Sequence, residues 1–201
     1  MINSLHDGSL YLPTDPEIQK IQNHYLDQLY DFNHTRPSQL AKRQEMLKNM
    51  LADIGKDCYI EPPFNSNWGG HHVHFGDNIY VNFNFTATDD THIYVGSNTQ
   101  IGPNVSLVTA GHPVLPELRK QGYQYNMPVH IGENCWLGAG VIVLPGVTIG
   151  ANTVIGAGSI VTKDIPANVV AVGDPCRVMR PVSEHDHEYY FKNHKIDWSK
   201  I

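Results

Sequence analysis

Between Val129 and Val172 the apolar positions recur every sixth residue, at Ile131, Leu137, Val143, Ile149, Ile155 and Val161. Glycine follows directly at Gly132, Gly138, Gly150 and Gly156, and a small or β-branched residue stands four places on at Val141, Val147, Thr153 and Ser159. An α-helix repeats every 3.6 residues and a strand every two, so neither produces this spacing. A hexapeptide period predicts a parallel β-helix, in which three short strands close one triangular coil of about 18 residues. The aliphatic side chains then stack inward, coil on coil. Glycine is expected to serve the turn that follows, with backbone angles that other residues resist. The period extends upstream through Phe75-Gly76 with Val81, and through Val95-Gly96, Ile101-Gly102 and Leu107. It is interrupted at 83–94 and, for longer, at 109–128. Insertions in a solenoid map to loops, often on the binding face, and a long loop in a compact fold is usually functional. The segment 109–128 is therefore the first place to look for chemistry.

The N-terminal part carries a different period. Thr14-Asp15-Pro16-Glu17 reads as a helix start, with a capping side chain and a proline in the first turn. Ile18, Ile21, Tyr25, Leu29 and Phe32 follow at helical spacing. Pro37-Ser38 opens a second helix with Leu40, Arg43, Leu47 and Met50 on one face, and Gly55 is the expected stop. These stripes are expected to pack on the first coils. Three parts result: a helical segment 1–57, a β-helix domain 58–180, and a polar, aromatic tail 181–201 packed on that domain.

Composition removes several classes. A length of 201 residues allows one domain with a small appendage, and 41% hydrophobic residues supply a core. A net charge of −6 leaves no basic footprint for nucleic acid. No apolar run approaches a membrane span, and the first residues do not read as a secretory signal. Cys58, Cys135 and Cys176 are odd in number and widely spaced, without zinc or disulfide spacing, as expected of a cytoplasmic chain. Cys135 falls at an inward repeat position and reads as a small core residue.

Five places carry candidate chemistry. His112, in Gly111-His112-Pro113, stands at the entry to the long loop, and imidazole accepts a proton near neutral pH. The plain alternative is a surface histidine in a turn. Asn82, in Asn82-Phe83-Asn84, lies at the first break in the period, where an amide holds a hydroxyl by donor and acceptor together or simply caps a turn. Asp89-Asp90 suits sugar hydroxyls or a cation, or a solvated turn. His71-His72-Val73-His74 puts His72 and His74 on one side of a strand, yet no carboxylate or further histidine stands at a fixed repeat offset, so no metal is assigned. Lys163, Arg177 and Arg180 gather cations at one end of the coils, fit for phosphate or for surface ion pairs.

Together these motifs resemble the maltose and galactoside O-acetyltransferases of the hexapeptide-repeat acyltransferase superfamily. The resemblance covers nearly the whole chain. It runs through Phe32-Asn33-His34, Glu61-Pro62-Pro63-Phe64, Asn82-Phe83-Asn84, Asp89-Asp90, Gly111-His112-Pro113-Val114, Glu117-Leu118-Arg119-Lys120 and the stretch Val154–Asp164. It implies an all-β solenoid, a left-handed parallel β-helix with a short helical segment before it. It implies acetyl-CoA as donor, a small sugar as acceptor, and a homotrimer with active sites between subunits. Residue by residue, His112 matches the catalytic base, and Asp15, Asn82 and Asp90 match acceptor-binding positions. Trp136, Ala139, Ala157, Thr162, Lys163, Arg177 and Arg180 match positions along the CoA channel. Ala139 stands where some relatives carry serine, leaving only its backbone N–H for a developing oxyanion. Tyr123 and Tyr125 lie in the variable part of the loop, so acceptor identity stays open. Three other readings compete. One is a xenobiotic acetyltransferase on the same fold, one a zinc hydratase of the γ-carbonic anhydrase kind, and one a non-catalytic scaffold.

Overall fold

The computed structural model describes residues 2–201, with side chains from Ser4 onward. Its body is a parallel β-solenoid with three flat faces. The first face runs Asp53–Ile54, Val73–Phe75, Ile93–Val95, Val129–Ile131, Thr148–Ile149, all parallel. The second begins at Tyr59–Ile60 and ends at Val169–Val172. The third begins at Phe64–Ser66 and ends at Ile160–Val161. Register delivers the stacking that the period demands. Phe75, Val95, Ile131 and Ile149 form one inward column, and Val81, Ile101, Leu137 and Ile155 another. Leu137, Val143, Ile149, Ile155 and Val161 are fully buried.

The glycines after these aliphatics do not serve turn angles, contrary to the sequence expectation. The left-handed conformation belongs instead to Asn78, Asn98, Asn104, Asn134 and Asn152, two residues after a glycine, and to Asn168. Asparagine tolerates that region better than other side chains. The amides of Asn134, Asn152 and Asn168 also bond to one another along the axis, at 2.9 and 3.0 Å. The glycines are required by proximity: a Cβ on Gly132, Gly138 or Gly150 would lie 2.5, 2.6 or 2.3 Å from a backbone nitrogen of the next coil.

Helix α1 (Pro16–Asn33) starts as the sequence predicts, with the Asp15 carboxylate accepting from the Glu17 and Ile18 N–H groups. Helix α2 is shorter than expected, Leu40–Met50, ending before Gly55. Arg43, Leu47 and Met50 are buried, whereas Leu40 at its first turn is 55% exposed. Gly55 has another duty: a Cβ there would meet the Gly76 backbone. The helices close one end of the solenoid. The Asn33 amide donates to the Phe64 carbonyl at 2.7 Å and accepts the Phe64 N–H at 2.8 Å, as a neighbouring strand would. At the other end Arg177–Pro181 pairs antiparallel with Val169–Val172. Beyond it a short helix (Glu184–Glu188) and a hairpin, Tyr189–Phe191 with His194–Lys195, leave Tyr190, Phe191 and Trp198 exposed.

Candidate functional site

The long insertion is ordered from within. Ala110–Gly111 pairs antiparallel with Tyr125–Asn126, and a five-residue helix, Pro116–Lys120, fills the excursion. Arg119 donates to the Pro113 and Val114 carbonyls at 3.1 and 2.6 Å, fixing the chain just after His112. His112 is exposed, and its Nδ1 lies 3.0 Å from the Tyr123 carbonyl. A carbonyl only accepts, so Nδ1 carries the proton and Nε2 of the neutral ring is left as a bare acceptor.

Behind the loop lies a buried polar layer. Asp90 accepts from Asn67 at 2.7 Å and from Gln124 at 3.2 Å, and Asn126 donates to its backbone carbonyl at 3.2 Å. Tyr11 joins through Gln124 and Asn126, and burial pushes its phenol up to about 12. Burial also raises the Asp90 carboxyl, and lifts Asp89 to about 6. Asp89 is fully buried and accepts from the Ser66 hydroxyl and the Trp68 and Gly70 N–H groups, so it shapes the turn at 66–72. The Trp68 indole N–H is buried beside Asp90 without closing a hydrogen bond. Asp15 belongs to the same neighbourhood: Ile18, whose N–H it caps, packs with Leu5, Tyr11 and Trp68.

Asn82 stands apart, half-buried, with its side-chain oxygen accepting the Phe83 N–H at 2.8 Å. Among the described residues no hydrogen bond joins His112 to Asn82, Asp15 or Asp90 within one chain. Trp136 projects from the second face, 57% exposed. Ala139 and Ala157 are exposed on successive coils, and neither backbone N–H has a partner among the described residues. Thr162 is exposed beside Lys163, and Lys163 and Arg177 line one cleft of about 190 Å³. Arg180 does not line that cleft; it forks onto Asp186 at 2.7 and 2.8 Å and holds that carboxyl well below its ordinary range.

Comparison with known proteins adds identity. Residues 128–163 match the bacterial transferase hexapeptide repeat, and residues 5–55 match the maltose acetyltransferase hexapeptide capping motif. A galactoside O-acetyltransferase of Lactococcus lactis is 54% identical over 193 residues, covering 96% of this chain and 93% of the relative. The chain belongs to the maltose and galactoside O-acetyltransferase family. Solved members share the fold. A galactoside acetyltransferase in complex with coenzyme A superposes with a TM-score of 0.95 at 45% identity, covering 98% of both chains. A hexapeptide-repeat acetyltransferase of Vibrio cholerae, complexed with acetyl coenzyme A, gives 0.83 at 25% identity, covering 90% and 98%. As a maltose and galactoside O-acetyltransferase family member, the protein is an acetyltransferase enzyme.

Against that family frame the sequence reading missed several residues. Tyr11, Gln124 and Asn126 hold Asp90 from distant points of the chain, and the Tyr123 carbonyl sets the His112 tautomer. The histidine triplet also has partners outside its own strand. His92 stands 18 residues after His74 and bonds to it at 2.8 Å, and Asp53 supplies a carboxylate 2.6 Å from His74 on its other side. A search at one-coil offset would have found His92. Asp53 lies 21 residues away, because this coil is longer than the repeat. Among the described residues no three metal-ligating side chains converge.

Proposed function

We propose that the protein transfers an acetyl group from acetyl-CoA to a hydroxyl of a small sugar, with His112 as general base. The observation that carries this reading is the Nδ1 contact to the Tyr123 carbonyl, which leaves Nε2 free to take a proton. As His112 removes the hydroxyl proton, the oxygen attacks the thioester carbonyl carbon. The tetrahedral oxyanion accepts from a backbone donor, for which the unpartnered Ala139 N–H is suited. Collapse expels CoA thiolate, which recovers the proton from the His112 imidazolium. No enzyme nucleophile is needed. Cys135 is buried, and burial raises its thiol, so it is a poor thiolate.

Asp90 and Asp15 serve acceptor hydroxyls, with Asn82 beside the base. Trp136, Ala139, Ala157, Thr162, Lys163 and Arg177 line the donor channel, with Arg180 at its end. We take the active form to be the homotrimer that the family resemblance implies, with sites between subunits; within one chain His112 bonds to the Tyr123 carbonyl and not to Asp15 or Asp90. Three free cysteines support a reducing, cytoplasmic setting. The test is an acceptor screen with acetyl-CoA, following thiol release. His112→Ala should lose about two to four powers of ten in kcat while retaining CoA binding. Near-normal turnover of a sugar by that variant would end the assignment.

A further inference from the structure

A cavity of about 510 Å³ opens between the N-terminal segment and the first coils, lined among others by Ile18, Tyr25, Trp68, His71, His72 and His92. Two of its histidines are fixed in one tautomer by what lies behind them. His72 is buried, with Nδ1 2.7 Å from the Asp89 backbone carbonyl. That carbonyl only accepts, so Nδ1 donates and Nε2 is bare. His92 is fixed through a chain. The exposed Asp53 carboxylate accepts from His74 Nδ1 at 2.6 Å. With that proton on Nδ1, the His74 Nε2 lone pair faces His92 Nδ1 at 2.8 Å and accepts from it. His92 Nε2 is bare in turn. Neither His72 Nε2 nor His92 Nε2 has a partner among the described residues. Burial lowers both rings to about 4, so both are neutral at pH 7. Their centroids are 5.6 Å apart, and His6 packs against both at 4.9 and 4.7 Å.

We propose that this cavity is a specificity subsite for the acceptor, in which His72 and His92 accept hydrogen bonds from two hydroxyls of a neutral saccharide and exclude its carboxylate-bearing analogue. Asp53 and His74 are positioning residues that act through His92. The proposal rests on the sugar-acetylation reading and adds the charge class of the acceptor. Two fixed lone pairs welcome O–H donors and repel an anion. The buried Asp89, directly behind His72, reinforces that exclusion. Ile18, Tyr25 and Trp68 supply an apolar wall for a ring face.

The experiment compares a methyl galactoside with the corresponding uronic acid, varying each substrate in turn. Wild type should favour the neutral sugar by at least about tenfold in kcat/KM. His92→Phe keeps an aromatic ring and removes Nε2. Its acceptor KM should rise about tenfold, the worth of one hydrogen bond at the upper end of the usual range, with acetyl-CoA KM unchanged. Asp53→Ala should raise the acceptor KM by a smaller factor with kcat retained, and Asp53→Asn, whose amide oxygen still accepts, should restore it. An unchanged acceptor KM in His92→Phe, or equal use of the uronic acid, overturns the proposal. If wild type acetylates no sugar, the reading it rests on has failed. The subsite is then judged by histidine ¹⁵N spectra during titration with the methyl galactoside alone. Movement of the His72 and His92 Nε2 signals upholds it, and still signals overturn it.

Discussion

Replacing Gly138 by alanine tests whether close approach, rather than turn geometry, explains the repeating glycine. The added Cβ would lie 2.6 Å from the Ala157 nitrogen and 2.9 Å from its Cα, both backbone atoms that no rotamer change can move. Ordinary contact begins near 3.4 Å, so the two coils must part locally by roughly 0.8 Å. The Gly138 N–H bonds to the Ile155 carbonyl at 2.8 Å, and a comparable stretch carries that bond out of range. Overpacking costs about 1–3 kcal/mol and each lost ladder bond about 1, giving roughly 2–4 kcal/mol. In a chain of this size that lowers Tm by about 5–15 °C. Gly158 is the control. Its φ is +71° and a Cβ there meets nothing within 4 Å, so Gly158→Ala incurs only the left-handed backbone penalty, about 1–2 kcal/mol. Both variants should be melted at equal protein concentration, because assembly shifts Tm. A Gly138→Ala protein at least as stable as Gly158→Ala would refute the reasoning.

Cys135→Ala should stay active with a modest loss of stability from a small void, and an acetyl group trapped on Cys135 during turnover would contradict direct transfer. Arg180→Ala should raise the acetyl-CoA KM with little change in kcat. The partly exposed pair with Asp186 is worth at most about 1 kcal/mol, so unfolding should barely move, and an unaltered donor KM removes Arg180 from the channel. Acid should weaken the fold through His72, whose folded value near 4 lies below its ordinary 6.5. Its contribution is whole above 6.5 and lost as pH falls toward 4, about 3 kcal/mol, partly offset by Asp89, which takes up its proton first in the folded state. Urea midpoints across that window should fall less steeply in His72→Asn than in wild type, and equal slopes would refute the assignment.

The fold was legible because a hexad pattern is a local signal that each coil repeats. Asp15 was legible as a cap because capping reaches only two or three residues ahead. What the period could not convey was why a glycine is needed, since an interior contact with the next coil and a left-handed turn select the same residue. The helix stripe misled at Leu40 because a first-turn position lies beyond the surface that Arg43, Leu47 and Met50 cover. His112 stood out by its place at a break in the repeat. Its tautomer did not, because that depends on a carbonyl 11 residues on, brought back by the loop's own fold. In the Asp53, His74 and His92 chain, His92 lies one regular coil of 18 residues from His74 and was legible, whereas Asp53, 21 residues away across a longer coil, was not.

The two closures of the solenoid bear on its solubility. The first and last coils of a parallel β-helix present unpaired N–H and C=O groups, so an open terminus is a template onto which another molecule can add. The Asn33 amide occupies both hydrogen-bonding positions of Phe64 on the third face. The reversed strand Arg177–Pro181 occupies the last edge of the second face, and a chain running in the opposite sense cannot continue a parallel ladder. The same repeat that makes coils interchangeable within the molecule would make molecules interchangeable with coils. Asn33 is therefore a gatekeeper against filament growth as well as part of a helix end.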